Sequence, residues 1–304
     1  MPSIQARLFG RLVRLIVKRK DWGGREGLPR RARRIFGAPR IAQWWAARDI
    51  KIEQVFRNGI RGEWLMRASG HDRSAIILYI HGGGYVSCSP QTHRPISCAL
   101  ARRTGFRVFS VDYRSAPENP FPASIKDVFA AYRRLTETEP DTPIALAGDS
   151  AGGGLVLITM MKARDARLRL PSCGVCFSPW TDMTGSGGSV RANAERDQMF
   201  YPSTIEQFAD VYLRDHDRSD PLVSPVFGDQ SGFPPMLFHV SSTEILIDDS
   251  RRIHEQIIES GGDSTFELFD GMFHGWQMAA GLIPEADLSL EKAAAFIRSH
   301  TNAW

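Results

Sequence analysis

Ser150 stands in Gly148-Asp149-Ser150-Ala151-Gly152, directly after the apolar run Ile144 to Ala147 and just ahead of Leu155 to Met161. A buried strand, a sharp turn and a helix in that order lift a serine hydroxyl clear of the backbone, as a nucleophile requires. The turn holds its central residue in a strained conformation, and the flanking glycines leave room for the chain. Ala151 then opens a helix with a backbone N–H free to meet an oxygen that turns negative during acyl transfer. Alone, Gly-x-Ser-x-Gly is equally the content of an ordinary turn. Gly-Asp-Ser-Ala-Gly-Gly also echoes the serine motif of chymotrypsin-like peptidases, but there the histidine and the aspartate precede the serine.

A second chemical stretch is His81-Gly82-Gly83-Gly84, placed directly after the continuous apolar strand Ala75 to Ile80. Three successive glycines are costly in chain entropy and imply that the backbone itself has a task. They let N–H groups of Gly83 and Gly84 point into a site and join Ala151 as an oxyanion hole, with Gly82 as the spare donor if the register differs. A phosphate-cradling loop is the alternative, but the Walker Lys-Ser/Thr and the Gly-x-Gly-x-x-Gly spacing are missing.

The base is sought among eight histidines. His274 lies in the loop after the last strand, Ser264 to Phe269, hence on the same rim as Ser150. There it can take the serine proton and later protonate the leaving group. His81 is expected to brace the glycine loop and His239 to sit in the core. His71, His93, His216, His254 and His300 fall in loops or helices without a motif and read as surface or structural residues. Two carboxylates just beyond the strand Met236 to Ser241, Glu244 and Asp248, can each orient the imidazole. The latter otherwise reads as a helix-start carboxylate. The scheme needs neither metal nor cofactor.

Strands alternating with helices at this spacing imply an α/β architecture, a mostly parallel central sheet flanked by helices. Gln54 to Phe56 and Trp64 to Arg67 suggest two antiparallel strands divided by the turn pair Asn58-Gly59. A helix is expected over Gln91 to Thr104, a strand over Phe106 to Val111, and a helix opened by Ser124 and Asp127 as a capping box. Asp21 to Pro39 reads as a loop or short helix. Ahead of it, Ile4, Leu8, Leu12, Leu15 and Ile16 form one stripe of an amphipathic helix, expected to pack on the protein while the arginines face water.

The set His81-Gly-Gly-Gly84, Asp112-Tyr-Arg-Ser-Ala-Pro-Glu118 and Gly148-Asp-Ser-Ala-Gly-Gly153 resembles the hormone-sensitive-lipase family of α/β-hydrolases, in its bacterial Gly-Asp-Ser-Ala-Gly branch. The likeness spans roughly residues 75 to 300, and Ser115 departs from the leucine usual there. It implies a carboxylic ester hydrolase with Ser150 as nucleophile, His274 as base and acid, and a short to medium acyl ester as substrate. Amide, lactone or carbamate cleavage would use the same groups. The family's Asp-Pro-Leu-x-Asp pattern becomes Glu244-Ile-Leu-Ile-Asp248, which puts a glutamate in the acid position. The resemblance also implies a helical cap from residues 1–50 and an insertion at 183–218, with the catalytic domain in two parts, 51–182 and 219–304. The same fold serves as a ligand receptor in plant gibberellin receptors, where the histidine is lost.

Composition is that of an ordinary soluble globular protein, with 42% hydrophobic and 24% charged residues. Residues 1–40 hold twelve Lys or Arg against Asp21 and Glu26, a local +10, while the remainder carries −6. Nucleic acid and stable membrane insertion are not expected as partners; a homodimer is plausible from exposed helices and the last strand. Cys88, Cys98, Cys173 and Cys176 lack an extracellular disulfide pattern, and Cys173-Gly-Val-Cys176 reads as buried strand cysteines. A reducing, cytoplasmic setting is the expectation.

Overall fold

Residues 75–80 are six consecutive apolar side chains, and all are buried because the strand that holds them, β3 (Asp72–Ile80), is covered on both faces. In the computed structural model, which describes residues 1–37 and 40–301, Ile76, Leu78 and Ile80 enter one apolar layer and Ala75, Ile77 and Tyr79 the other. The period of two along a strand divides them.

Eight strands form one sheet in the order β1-β2-β4-β3-β5-β6-β7-β8. β1 (Ile50–Arg57) and β2 (Ile60–Arg67) are antiparallel, joined by Asn58 and Gly59 at φ 53° and 77°. Both residues in the left-handed region are what a two-residue hairpin requires. β2 runs antiparallel to β4 (Phe106–Val111). From there the sheet is parallel through β3, β5 (Ile144–Asp149), β6 (Cys173–Phe177), β7 (Met236–Ser241) and β8 (Ser264–Phe269).

One face is covered by α4 (Arg94–Thr104) and α10 (Pro284–Thr301). The other is covered by α5 (Ala123–Thr138), α6 (Ala151–Asp165) and α9 (Ile247–Glu259). Cys176 belongs to the second layer and Cys173 to the first, so the Cys-x-x-Cys pair is split by the sheet and both thiols are free.

The N-terminal α1 (Ile4–Ile16) and α2 (Gly24–Ile35) pack against the excursion after β6, which holds α7 (Gly188–Ala192) and α8 (Pro202–Leu213). Trp22 anchors this contact: its backbone N–H donates to Gln207 Oε1 at 2.9 Å and its ring meets Phe208 edge-on at 5.5 Å. A short α3 (Arg40–Ala46) leads into β1. The reading of 21–39 as loop or short helix resolves into the twelve-residue α2, while positions 38 and 39 lie outside the described residues.

Three expectations are corrected. α4 begins at Arg94 rather than Gln91, because Ser89 to His93 is tied into its own turn through Thr92. α5 has no capping box: Ser124 Oγ bonds the hydroxyl of Tyr212 at 2.7 Å and Asp127 accepts from Arg114, so both side chains serve tertiary contacts instead.

The third correction concerns α1, whose apolar stripe faces water: Ile4 is 65% exposed and Leu15 84%, with Leu8, Leu12 and Ile16 alongside. Its rotation is set by other contacts. Gly10 lies so close to Gln198 that a Cβ would overlap it, and Lys18 Nζ donates to the carbonyls of Ala194 at 2.7 Å and Asp197 at 2.6 Å. Leaving such side chains in water forgoes about 1.5–3 kcal/mol each.

Candidate active site

β5 is fully buried and runs straight into α6, so the residue between them has to turn sharply. That residue is Ser150, at φ 52° and ψ −123°. A non-glycine residue in this region costs about 1–3 kcal/mol, and it persists only where its neighbours hold it. Ser150 N–H donates to Phe177 O at 2.9 Å, and its carbonyl accepts from Trp180 N at 2.9 Å and Gly154 N at 3.1 Å. Gly152 is obligatory here, since a Cβ would strike the carbonyl oxygens of Ile80 and His81.

His274 follows β8 in a loop pinned by Ser241 and Thr243, whose hydroxyls donate to Met272 O at 2.7 and 3.0 Å. Its Nδ1 lies 2.6 Å from Glu244 Oε2. With the proton on Nδ1 donated to that carboxylate, Nε2 carries the lone pair, and Nε2 is buried with no partner among the described residues. Burial works against an imidazolium here, but the Glu244 charge, its hydrogen bond and then Asp197 outweigh it and raise the His274 pKa above its ordinary value. Asp248 bonds elsewhere: its Oδ2 accepts from Ser189 N at 2.8 Å and its Oδ1 pairs with Arg251, in the first turn of α9.

Gly83, Gly84, Ser150 and His274 line one cavity of about 300 Å³, in the range of small-molecule sites. The backbone N–H groups of Gly83, Gly84 and Ala151 have no acceptor among the described residues. Gly82 departs from its expected role as spare donor, because its N–H donates to Asp149 Oδ1 at 3.0 Å. Apolar walls come from Val13, Val17 and Phe36 on one side and Phe200, Ile205 and Phe208 on the other.

Residues 77–278, about two thirds of the chain, match the family described as alpha/beta hydrolase fold. The chain belongs to this α/β-hydrolase family. An acetyl-hydrolase of Streptomyces hygroscopicus is 40% identical over 240 residues, 79% of this chain and 80% of that one. An esterase of Acinetobacter venetianus is 34% identical over 252 residues, 82% of each chain. The crystal structure of an esterase from the bacterial hormone-sensitive lipase family superposes with a TM-score of 0.88 at 35% identity, covering 99% of both chains. The protein is thus an α/β-hydrolase of the carboxylesterase type, within the hormone-sensitive-lipase group.

Several residues that position this hydrolase site carry no local signal in the sequence. Ser178, at φ 45°, donates its hydroxyl to Glu244 Oε1 at 2.7 Å, and Ser241 N–H reaches the same oxygen at 2.9 Å. Asp197 is buried beside Glu244, where burial and then that neighbouring charge push its carboxyl up, against backbone donors at Ile245, Phe200 and Met199.

Asp149 carries a second network under the glycine loop. Its Oδ1 accepts from Tyr79 OH at 2.6 Å as well as from Gly82, and its Oδ2 meets His93 Nε2 at 3.1 Å. Burial opposes its charge, but His93 and the Tyr79 hydroxyl prevail and hold its pKa below the usual value. His93, read only as surface or structural, therefore supports the loop and lines the cavity. His81 braces it as expected: burial and His93 push its pKa down to about 3, so the neutral ring donates from Nδ1 to Gly82 O at 2.8 Å.

Proposed function

We propose that the enzyme hydrolyses short to medium acyl esters through a Ser150-His274-Glu244 triad and an acyl-enzyme. The observation that carries this reading is the unpartnered Nε2 of His274, a residue that lines the same cavity as Ser150 while its Nδ1 is held by Glu244. Nε2 takes the proton as Ser150 Oγ attacks the ester carbonyl, and the Gly83, Gly84 and Ala151 N–H groups meet the oxyanion. The imidazolium, stabilised by Glu244, protonates the departing alcohol, and water then attacks the acyl-serine by the same route in reverse. Residues 1–50 and 183–218 act as a cap whose apolar walls exclude water and receive the acyl chain. The four free cysteines favour a cytoplasmic setting, and no described helix is long and apolar enough to cross a membrane.

The test is turnover of a graded series of p-nitrophenyl esters by wild type, Ser150→Ala, Glu244→Gln and Asp248→Asn. Hydrolysis lost with Ser150→Ala and strongly reduced with Glu244→Gln, but kept with Asp248→Asn, supports the reading. An inert wild type overturns it and turns attention to ligand binding.

A further inference from the structure

We infer that α1 seats this protein on an anionic lipid surface. At roughly 100° per residue, the helix divides into three arcs. Ala6, Phe9, Val13 and Val17 form the inward arc: the first three pack on the 269–286 segment that bears His274, and the last two line the catalytic cavity. Ile4, Leu8, Leu12, Leu15 and Ile16 form an outward arc of roughly 120° left in water. The third arc, flanking the leucines, carries Arg7, Arg11, Arg14 and Lys18. Arg14 and Lys18 are tied to carbonyls of residues 194–197, whereas the side chains of Arg7 and Arg11 are exposed and make no ion pair or hydrogen bond among the described residues.

An exposed apolar arc beside unpaired cations is the pattern of a helix that lies in the interface plane of a bilayer. Charge chooses among the possible occupants. A second copy packed on this face about a two-fold axis would bring the unpaired arginines of both copies around one contact. Nucleic acid would leave the leucines wet. Anionic headgroups meet the arginines while the acyl boundary takes the leucines, and the +10 of residues 1–40 against −6 elsewhere orients the molecule with this end toward the surface. The contact is peripheral, because thirteen residues cannot span a membrane.

The experiment is sedimentation of the full chain with sucrose-loaded vesicles of phosphatidylcholine, with and without phosphatidylglycerol, alongside light scattering for oligomeric state. Wild type should pellet with the anionic vesicles and be released by salt. Arg7→Ala and Arg11→Ala should each weaken binding by about fivefold. A combined Leu8→Gln, Leu12→Gln and Leu15→Gln variant should stay in the supernatant while melting where wild type melts, since the replaced side chains are exposed. Wild type remaining in the supernatant with both vesicles overturns the inference, as does a triple variant that pellets like wild type. A wild-type oligomer that the triple variant reduces to a smaller species assigns the leucines to a second copy and overturns it too.

Discussion

Glu244 holds His274 at 2.6 Å through one carboxylate oxygen while its other oxygen is fixed by Ser178 and Ser241. Since Glu244 raises the His274 pKa above its ordinary 6.5 and the proposed base role needs Nε2 unprotonated, kcat/KM should fall as pH drops through a value above 6.5. Glu244→Gln removes the charge and leaves burial as the dominant influence. Its acid limb should move to lower pH, with turnover reduced by about 10³–10⁴. A pH profile of both proteins on p-nitrophenyl acetate checks this.

Ser178→Ala removes one of two donors from a buried carboxylate oxygen, a loss of about 1–3 kcal/mol. Because Ser178 acts through Glu244, kcat should fall by about tenfold or more with KM nearly unchanged. Ser178→Thr, which keeps the hydroxyl, should recover part of the loss; steady-state kinetics on the three proteins decide.

Gly84 sits at φ 63° with its Cα against the Phe208 ring, leaving no room for a Cβ. Gly84→Ala should therefore lower kcat by displacing the donor loop, beyond the roughly 1–2 kcal/mol of left-handed strain. Adding Phe208→Ala should restore part of that kcat. Gly70→Ala, also at positive φ but with open space around it, should alter stability by strain alone and leave kcat in place.

Asp149 ionises below its usual value, so its contribution to stability is present above pH 3.8 and is lost as pH falls through the lower folded value. Asp149→Asn gives up the charge-assisted contact with His93. It should be about 1.5–3 kcal/mol less stable at neutral pH, lack this part of the acid dependence, and turn over more slowly as Gly82 loosens. Thermal melts across pH, with kinetics at neutral pH, measure both effects.

What was legible in the chain is what local sequence encodes. β4 and β8 have the bounds their apolar runs suggest, and Asn58-Gly59 marks its hairpin because two left-handed residues admit few other structures. Ser178 was not legible, since its hydroxyl matters only against a carboxylate 66 residues away. Periodicity alone assigns the bulkier residues of α1 inward. Close approach to Gln198 instead selects Gly10, and the carbonyls around 194–197 select the basic arc. At Gly82 a run of glycines says that backbone amides are needed without saying which one Asp149 claims.

Ser150 follows β5 in the middle of the sheet, whereas Glu244 follows β7 and His274 follows β8, the edge strand with a single neighbour. Edges open at lower free energy than interiors. Warming should therefore separate His274 from Ser150 while most of the ellipticity survives, making residual turnover a gauge of the sheet margin and circular dichroism a gauge of its centre.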